Sequence, residues 1–180
     1  YMDCPYWEQL MYAGDTRLQA LCGYTMTRDD RLQRQALRLF DDSRLPTGLT
    51  QSRFPSANGQ VIPPFALHWI GMLHEHALWR GDAALVRELL PGVRSVLDAH
   101  MQPKRPDGLV GPLSGWNFVD WSPGWRTGEP PAAEDGLSSV LMGQLVIALR
   151  QAAALEDHAG DGRCASCWRH EARSLAAALR

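Results

Sequence analysis

Pro63-Pro64-Phe65-Ala66-Leu67-His68-Trp69-Ile70-Gly71-Met72-Leu73 is the stretch that decides the fold. Prolines are natural at a helix start. The apolar side chains that follow point nearly all round a helix axis instead of forming one stripe, and a helix of that kind is buried on every side. The pattern runs on to about Arg80. Gly81-Asp82 then supplies a tight turn and a cap for a second helix that ends near His100. That second helix is amphipathic, so the repeating unit is a buried helix followed by a half-exposed one. Pro91 inside it predicts a kink or a break.

The same alternation extends in both directions. Upstream, 14–24 reads as a short, mostly apolar helix carrying Leu18, Leu21 and Cys22, with Asp15 or Thr16 available for capping. After Asp29-Asp30, which reads as a cap, 30–41 sets Leu32, Ala36, Leu39 and Phe40 against Arg31, Gln33, Arg34, Gln35 and Arg38. Downstream, 137–155 is apolar nearly all round, through Val140, Leu141, Leu145, Val146, Ile147 and Leu149. The last pattern, 161–180, places Cys167, Trp168, Leu175 and Leu179 on one face. Strand-type alternation is almost absent.

Loop lengths alternate in step with the helices. Connections within a hairpin are short, as at Gly81-Asp82 and Gly160-Asp161, whereas 43–63 and 102–136 are long. Structureless loops of that length in a compact domain are usually functional. In a row of antiparallel hairpins, the long loops and the N-terminal stretch all emerge at one end. Inner helices wrapped by outer ones, with function-bearing loops on one rim, describe an all-α fold, an α/α toroid. A simple bundle and a helix-pair solenoid compete, but a solenoid would show a fixed period and none is found. A toroid of six hairpins needs about a dozen helices. The chain supplies six, so 1–180 is expected to form a single partial domain of about three hairpins.

Composition narrows the function. A net charge of −2 with scattered cationic residues leaves no electrostatic footprint for nucleic acid. No apolar run reaches about 18 residues, so no membrane helix is expected, and no signal-peptide pattern is read. The chain opens on Tyr1 without an initiator Met, as an excised piece would, and its compartment is left open. The four cysteines lack disulfide-scaffold spacing, and Cys164-Ala165-Ser166-Cys167 has no second ligand pair. His68, His74 and His76 lack the i, i+4 pairing of a metal site and read as core or surface residues. No metal or cofactor is expected.

Two stretches can carry chemistry. Asp3-Cys4-Pro5-Tyr6-Trp7-Glu8-Gln9-Leu10-Met11-Tyr12-Ala13-Gly14-Asp15 brings three carboxylates together with aromatic rings. Trp116-Asn117-Phe118-Val119-Asp120-Trp121-Ser122-Pro123-Gly124-Trp125 holds three tryptophans in one loop. Indole faces that stack on a sugar's CH surface, beside carboxylates that accept from its hydroxyls, are what a carbohydrate site needs; plugging the loop onto the helices is the plain alternative. Glycoside hydrolysis also needs a protonated carboxyl at the leaving oxygen. A collar of Trp7 and Tyr12 around Glu8 would raise its pKa into that role by desolvation.

Asp3-Cys4-Pro5-x-x-Glu8-x-Leu10 followed by Gly14-Asp15 closely resembles the signature of bacterial α-L-rhamnosidase catalytic domains, glycoside hydrolase family 78. Asp41-Asp42-Ser43-Arg44, Gly48-Leu49-Thr50-Gln51-Ser52-Arg53, Ile62-Pro63-Pro64-Phe65 and Trp116-Asn117-Phe118-Val119-Asp120-Trp121 fit as well, in the right order. The resemblance runs from Asp3 to about Ala154. It implies an α/α six-hairpin barrel, of which this chain supplies the first half, and inverting hydrolysis of terminal α-L-rhamnosides. By the resemblance Glu8 matches the general acid, Asp3 and Asp15 match carboxylates on the sugar hydroxyls, and Asp120 and Trp121 match substrate-contacting positions. Tyr12, Trp116 and Trp125 join them as candidate substrate-binding residues. Many relatives carry Arg at the positions of Trp7 and Gln9 and Trp at that of Tyr12, so the chain departs there. The general base belongs to the second half of the barrel in this family, so the chain alone is expected to be inactive; Glu129 and Glu134 do not match its position. Another inverting barrel hydrolase with a different sugar, or a helical carbohydrate-binding module without chemistry, are the competing functions. Apolar flanks on the first and fifth helices are expected to drive self-association.

Overall fold

The apolar run that opens at Pro63 forms the central helix of a computed structural model that describes residues 1–179. The helices are α1 (Ala13–Met26), α2 (Arg31–Asp42), α3 (Pro63–Arg80), α4 (Ala83–Met101), α5 (Ser139–Ala159) and α6 (Gly162–Ala178), with one 3-10 turn at Arg126–Gly128. Helix α3 packs between α1 and α5, which do not touch each other. Helices α2 and α4 lie behind them, and α6 packs on α5. Inner helices α1, α3 and α5 and outer helices α2, α4 and α6 therefore form three hairpins side by side. Among the described residues there is no strand, only isolated bridges. The all-α expectation holds.

Helix α3 is buried over its first three turns because residues 63–73 give it almost no polar face, whereas Leu78 and Trp79 near its C-terminal end are exposed, so it is not buried on every side. Phe65, Ala66, Leu67, Trp69, Ile70, Met72 and Leu73 are all in the core, each larger side chain contributing about 1.5–3 kcal/mol on burial. The Trp69 indole N–H donates to the Leu37 carbonyl at 3.0 Å, which ties α2 to α3. Two glycines permit the closest approaches. A Cβ on Gly71 would lie 2.5 Å from the Arg17 guanidinium carbon, and one on Gly92 would overlap the Arg44–Asp41 ion pair. Asp82 and Asp161 cap α4 and α6 by accepting from the Leu85 and Cys164 N–H groups, each at 3.0 Å. Gly81 and Gly160 close α3 and α5 in the left-handed conformation.

Several expectations are corrected. Pro91 does not break α4, which is continuous through it. The proline ring sits on the exposed side while Leu89, Leu90 and Val93 around it are buried, so packing holds the helix together. The buried face of α2 is Gln33, Ala36, Leu37 and Phe40, leaving Leu32 65% exposed. Cys167 faces solvent, and α6 instead buries Ala165, Ala172 and Leu175. Neither Asp15 nor Thr16 caps α1, whose N-cap is Tyr12; at the start of α2 it is Asp29, accepting from the Arg31 N–H at 3.2 Å, and not Asp30 that supplies the side-chain bond. Helix α5 is not buried all round: Val140 and Ile147 are exposed, Ile147 by 54%. Leu18 on α1 is 65% exposed, so apolar flanks stand open at both ends of the inner row.

The two ends of the row differ in character. At the end of the short turns, His76 is fully buried, with Nδ1 2.9 Å from the Tyr24 hydroxyl and Nε2 3.6 Å from Asp82. Burial pulls its pKa down to about 4, with Asp30 opposing and the Arg34 and Arg80 charges adding to the fall. The long loops and the N-terminal stretch meet at the opposite end.

Candidate active site

The N-terminal stretch closes on itself before entering α1. Asp3 N–H donates to the Leu10 carbonyl and Leu10 N–H donates to Asp3 Oδ1, both at 2.8 Å. Gln9, with φ of 57°, turns the chain back between them, and its side-chain amide donates to the Pro5 carbonyl at 2.6 Å. Only a few per cent of non-glycine residues sit at positive φ. This one adjoins Glu8, where local strain is expected to cluster if the site is functional.

Beyond the turn, Tyr12 pairs with Arg53 of the first long loop as an antiparallel bridge, flanked by Ala13 N–H to the Ser52 carbonyl at 2.9 Å. The pairing puts both side chains beside Glu8. The Tyr12 hydroxyl donates to Glu8 Oε2 at 2.5 Å, and Arg53 Nη1 donates to the same hydroxyl oxygen at 3.0 Å. Burial first, and then the hydrogen bond and charge of Glu8, push the Tyr12 phenol up to about 12, so it remains a donor.

The three rim segments enclose a cleft of about 720 Å³. Asp3, Glu8, Tyr12 and Asp15 line it from the N-terminal side, Arg53 and Gln60 from the first long loop, and Trp116, Phe118, Asp120 and Trp121 from the second. Arg17, Phe65 and His68 form part of its wall on the inner helices. The aromatic side is one continuous cluster. Ring centroids lie 4.6 Å apart for Trp116–Phe118, 5.2 Å for Phe118–Trp121 and 5.8 Å for Phe65–Phe118, distances at which aromatic rings attract. Glu129 staples that loop by accepting from the Asn117 N–H at 2.8 Å, while the Thr127 hydroxyl, 3.2 Å from the other carboxylate oxygen, lies closer to the Arg126 carbonyl at 2.6 Å. The Trp116 indole donates to the Thr127 carbonyl at 2.9 Å, while Trp121 is left largely exposed over the cleft.

Electrostatically the cleft is a set of carboxylates with different neighbours. Burial above all pushes Asp15 up, and the charges of Asp3, Glu8 and Asp120 add to the rise. Asp3 goes the other way: burial opposes, but hydrogen bonds from Cys4 and the Leu10 N–H bring it below the usual carboxylate range. His68 is held down at about 4 by burial and then by Arg17, 3.3 Å from its Nδ1. Arg17 is itself anchored on Glu75 at 2.9 and 2.5 Å. Acceptor oxygens, neutral donors and a stacking wall in one cleft of this volume suit a polyhydroxylated ligand.

The full length of the chain, residues 1–180, matches the sequence family described as the bacterial alpha-L-rhamnosidase 6 hairpin glycosidase domain. The chain belongs to that family. Among solved structures it is similar to a GH78 family rhamnosidase of Bacillus sp. GL1, at 30% identity and a TM-score of 0.85. That match covers 98% of this chain and 18% of the other. It also shares its fold with a rhamnosidase from Klebsiella oxytoca with rhamnose bound, at 22% identity and a TM-score of 0.81, covering 98% of this chain and 34% of that one. The chain thus spans well under half the length of either protein. No curated protein sequence matches it.

Of the residues that the rhamnosidase resemblance and the aromatic pattern single out, Asp3, Glu8, Tyr12, Asp15, Trp116, Asp120 and Trp121 all line the one cleft. Trp125 does not; it is partly buried at the start of the 3-10 turn, away from the cleft wall. The expected collar around Glu8 is absent. Trp7 is 83% exposed and stands edge-on to Tyr6 at 5.0 Å, so it shields nothing, and Tyr12 meets Glu8 through its hydroxyl instead of its ring. Sequence reasoning missed Arg17, Gln60 and Phe118 as cleft residues and set His68 among core or surface histidines. Arg53 closes one of the stretches quoted for the resemblance, but its contact with Tyr12 was not legible. Among the described residues, one carboxylate and thiol cluster has metal-like spacing, Glu156, Asp161 and Cys164, but Arg94 already bridges its two carboxylates at 2.7 and 3.1 Å. The hydrogen bond with Asp161, then burial, also pushes the Cys164 thiol up, away from the thiolate a metal needs.

Proposed function

We propose that this chain is the acid-bearing half of an inverting α-L-rhamnosidase site, in which Glu8 protonates the departing glycosidic oxygen. One observation carries the reading: Glu8 shares a sugar-sized cleft with three further carboxylates and a continuous aromatic wall. In this reading Asp3, Asp15 and Asp120 accept hydrogen bonds from the sugar hydroxyls, and Trp116 and Trp121 stack on its apolar edges. The rhamnose held by the Klebsiella oxytoca protein of the same fold supports the sugar class.

An inverting site needs a base about 6.5–9.5 Å from the acid, activating water on the opposite face of the ring. The base is proposed to come from outside residues 1–180. Glu129, the tempting candidate in the long loop, does not match the family's base position, and its Oε1 accepts from the Asn117 N–H at 2.8 Å.

Glu8→Gln, made in the protein that carries the complete set of hairpins, tests the acid. Hydrolysis of an alkyl rhamnoside is expected to fall roughly 10²–10⁴-fold with rhamnose binding retained; unchanged hydrolysis removes Glu8 from the role. The 1–180 chain by itself is expected to turn over no aryl rhamnoside. Robust turnover would mean that the base lies within it.

A further inference from the structure

Glu8 is exposed on a loop, and its only side-chain hydrogen bond among the described residues is the one from Tyr12. A carboxyl so lightly held needs an orienting partner, since catalytic groups act only from a narrow range of positions. The donor inventory around Tyr12 leaves one solution. A guanidinium has no acceptor, so Arg53 can only donate to the phenolic oxygen, at 3.0 Å. The single phenolic proton is thereby committed to Glu8 Oε2, at 2.5 Å.

Arg53 lines the cleft, and its one side-chain hydrogen bond among the described residues is the one to Tyr12. It pairs with no carboxylate within 4.0 Å among the described residues, whereas Arg17, Arg34, Arg38, Arg44 and Arg94 each do. Its guanidinium carbon lies 5.6 Å from the centre of the Tyr12 ring. The backbone bridge between residues 12 and 53 fixes the register of both side chains.

We propose that Tyr12 and Arg53 are a positioning pair that assigns the two oxygens of the Glu8 carboxyl, an inference that rests on the reading of Glu8 as the general acid. Oε2 is occupied by the Tyr12 hydroxyl, so the transferable proton sits on Oε1, the oxygen left free for the leaving group. In the step itself the Oε1–H bond breaks and an O–H bond forms on the glycosidic oxygen as its bond to the anomeric carbon breaks. Glu8 is left as a carboxylate, and the Tyr12 hydrogen bond becomes charge-assisted. Arg53 touches no reacting atom; it acts only by fixing which way the phenol donates.

Leaving-group dependence tests the pair, because a leaving group that departs without a proton does not need an oriented acid. Tyr12→Phe, Arg53→Gln, Arg53→Lys and the Tyr12→Phe/Arg53→Gln double variant are made in the complete-barrel protein and assayed on methyl and dinitrophenyl α-L-rhamnosides. Tyr12→Phe is expected to lower kcat on the methyl rhamnoside roughly 10–100-fold and on the dinitrophenyl rhamnoside by a distinctly smaller factor. Arg53→Gln should give a smaller loss of the same selectivity, Arg53→Lys should restore part of it, and the double variant should be no worse than Tyr12→Phe. Equal losses on both substrates, or an Arg53→Gln loss that multiplies with that of Tyr12→Phe, overturns the pair in favour of a folding or direct sugar-binding role. If Tyr12→Phe fails to fold, the comparison of Arg53→Gln with Arg53→Lys decides alone. Glu8→Gln run alongside separates the two levels: if it spares the methyl substrate, the acid assignment itself fails. If it shows the leaving-group dependence and the Tyr12 and Arg53 variants do not, only the pair fails.

Discussion

Gln9 holds a left-handed backbone conformation directly beside the proposed acid. For a side chain with a Cβ that conformation costs roughly 1–2 kcal/mol, and glycine avoids it at the expense of a more flexible unfolded chain. Gln9→Gly is therefore expected to raise stability by about 0.5–1 kcal/mol, read from urea melts, provided the side-chain bond to Pro5 contributes little on this exposed loop. A loss of stability would mean that the amide bond to the Pro5 carbonyl outweighs the strain. At this scale the sequence was legible where chemistry is carried by residue type. Carboxylates beside aromatic residues marked the two stretches, and the rhamnosidase resemblance singled out Glu8, Asp3, Asp15, Asp120 and Trp121 within them, all of which line one cleft. It was not legible where the contact is distant: Tyr12 and Arg53 are 41 residues apart. Nor did adjacency foretell shielding, for Trp7 is next to Glu8 and faces solvent.

Helices were read from periodicity and ended within a few residues of expectation, but faces were read less well than spans. In α2 the polar Gln33 is buried and Leu32 exposed: the face that packs on α3 and α4 is Gln33, Ala36, Leu37 and Phe40, and hydropathy alone did not choose it. Pro91 shows the same override of a local rule by packing. The element that carries a clear pH signature is α3. His76 binds its proton at about pH 4 in the folded chain and near 6.5 when unfolded. A depressed folded value means that the unfolded state takes up the proton first on acidification. The stability associated with neutral His76 is thus present above about pH 6.5, declines as pH falls from there, and is lost by about pH 4. Thermal melts between pH 7 and pH 4.5 should show this decline, and His76→Gln should flatten it. A slope identical in the two proteins would assign the effect to other groups, among them the buried His68 and His100.

Across the whole molecule, three hairpins leave the inner row open at both edges. Leu18 on α1 and Val140 and Ile147 on α5 are exposed apolar side chains on separate flanks, and neither flank has a partner helix among the described residues. The 1–180 chain is therefore expected to self-associate with rising concentration, and Leu18→Glu combined with Ile147→Glu to keep it monomeric in light scattering. A monomer at high concentration without those changes would show that the flanks are tolerated in water. The architecture at this scale was legible because buried and half-exposed helices alternate and long loops alternate with short ones. The cleft was legible only as a shared rim, since its volume and the stapling of its aromatic wall by Glu129 depend on loop conformations that no periodicity encodes.

The backbone bridge between Tyr12 and Arg53 also has a temporal side. A ribosome releases the N-terminal loop first, but the strand partner that docks it emerges about 40 residues later, an interval of roughly 2–8 s at ordinary elongation speeds. Throughout that interval the Asp3–Leu10 closure, made within residues 3–10, is available while the bridge to Arg53 is not. The loop that presents the proposed proton donor thus has its own closure within reach before the segment that clamps it has been made.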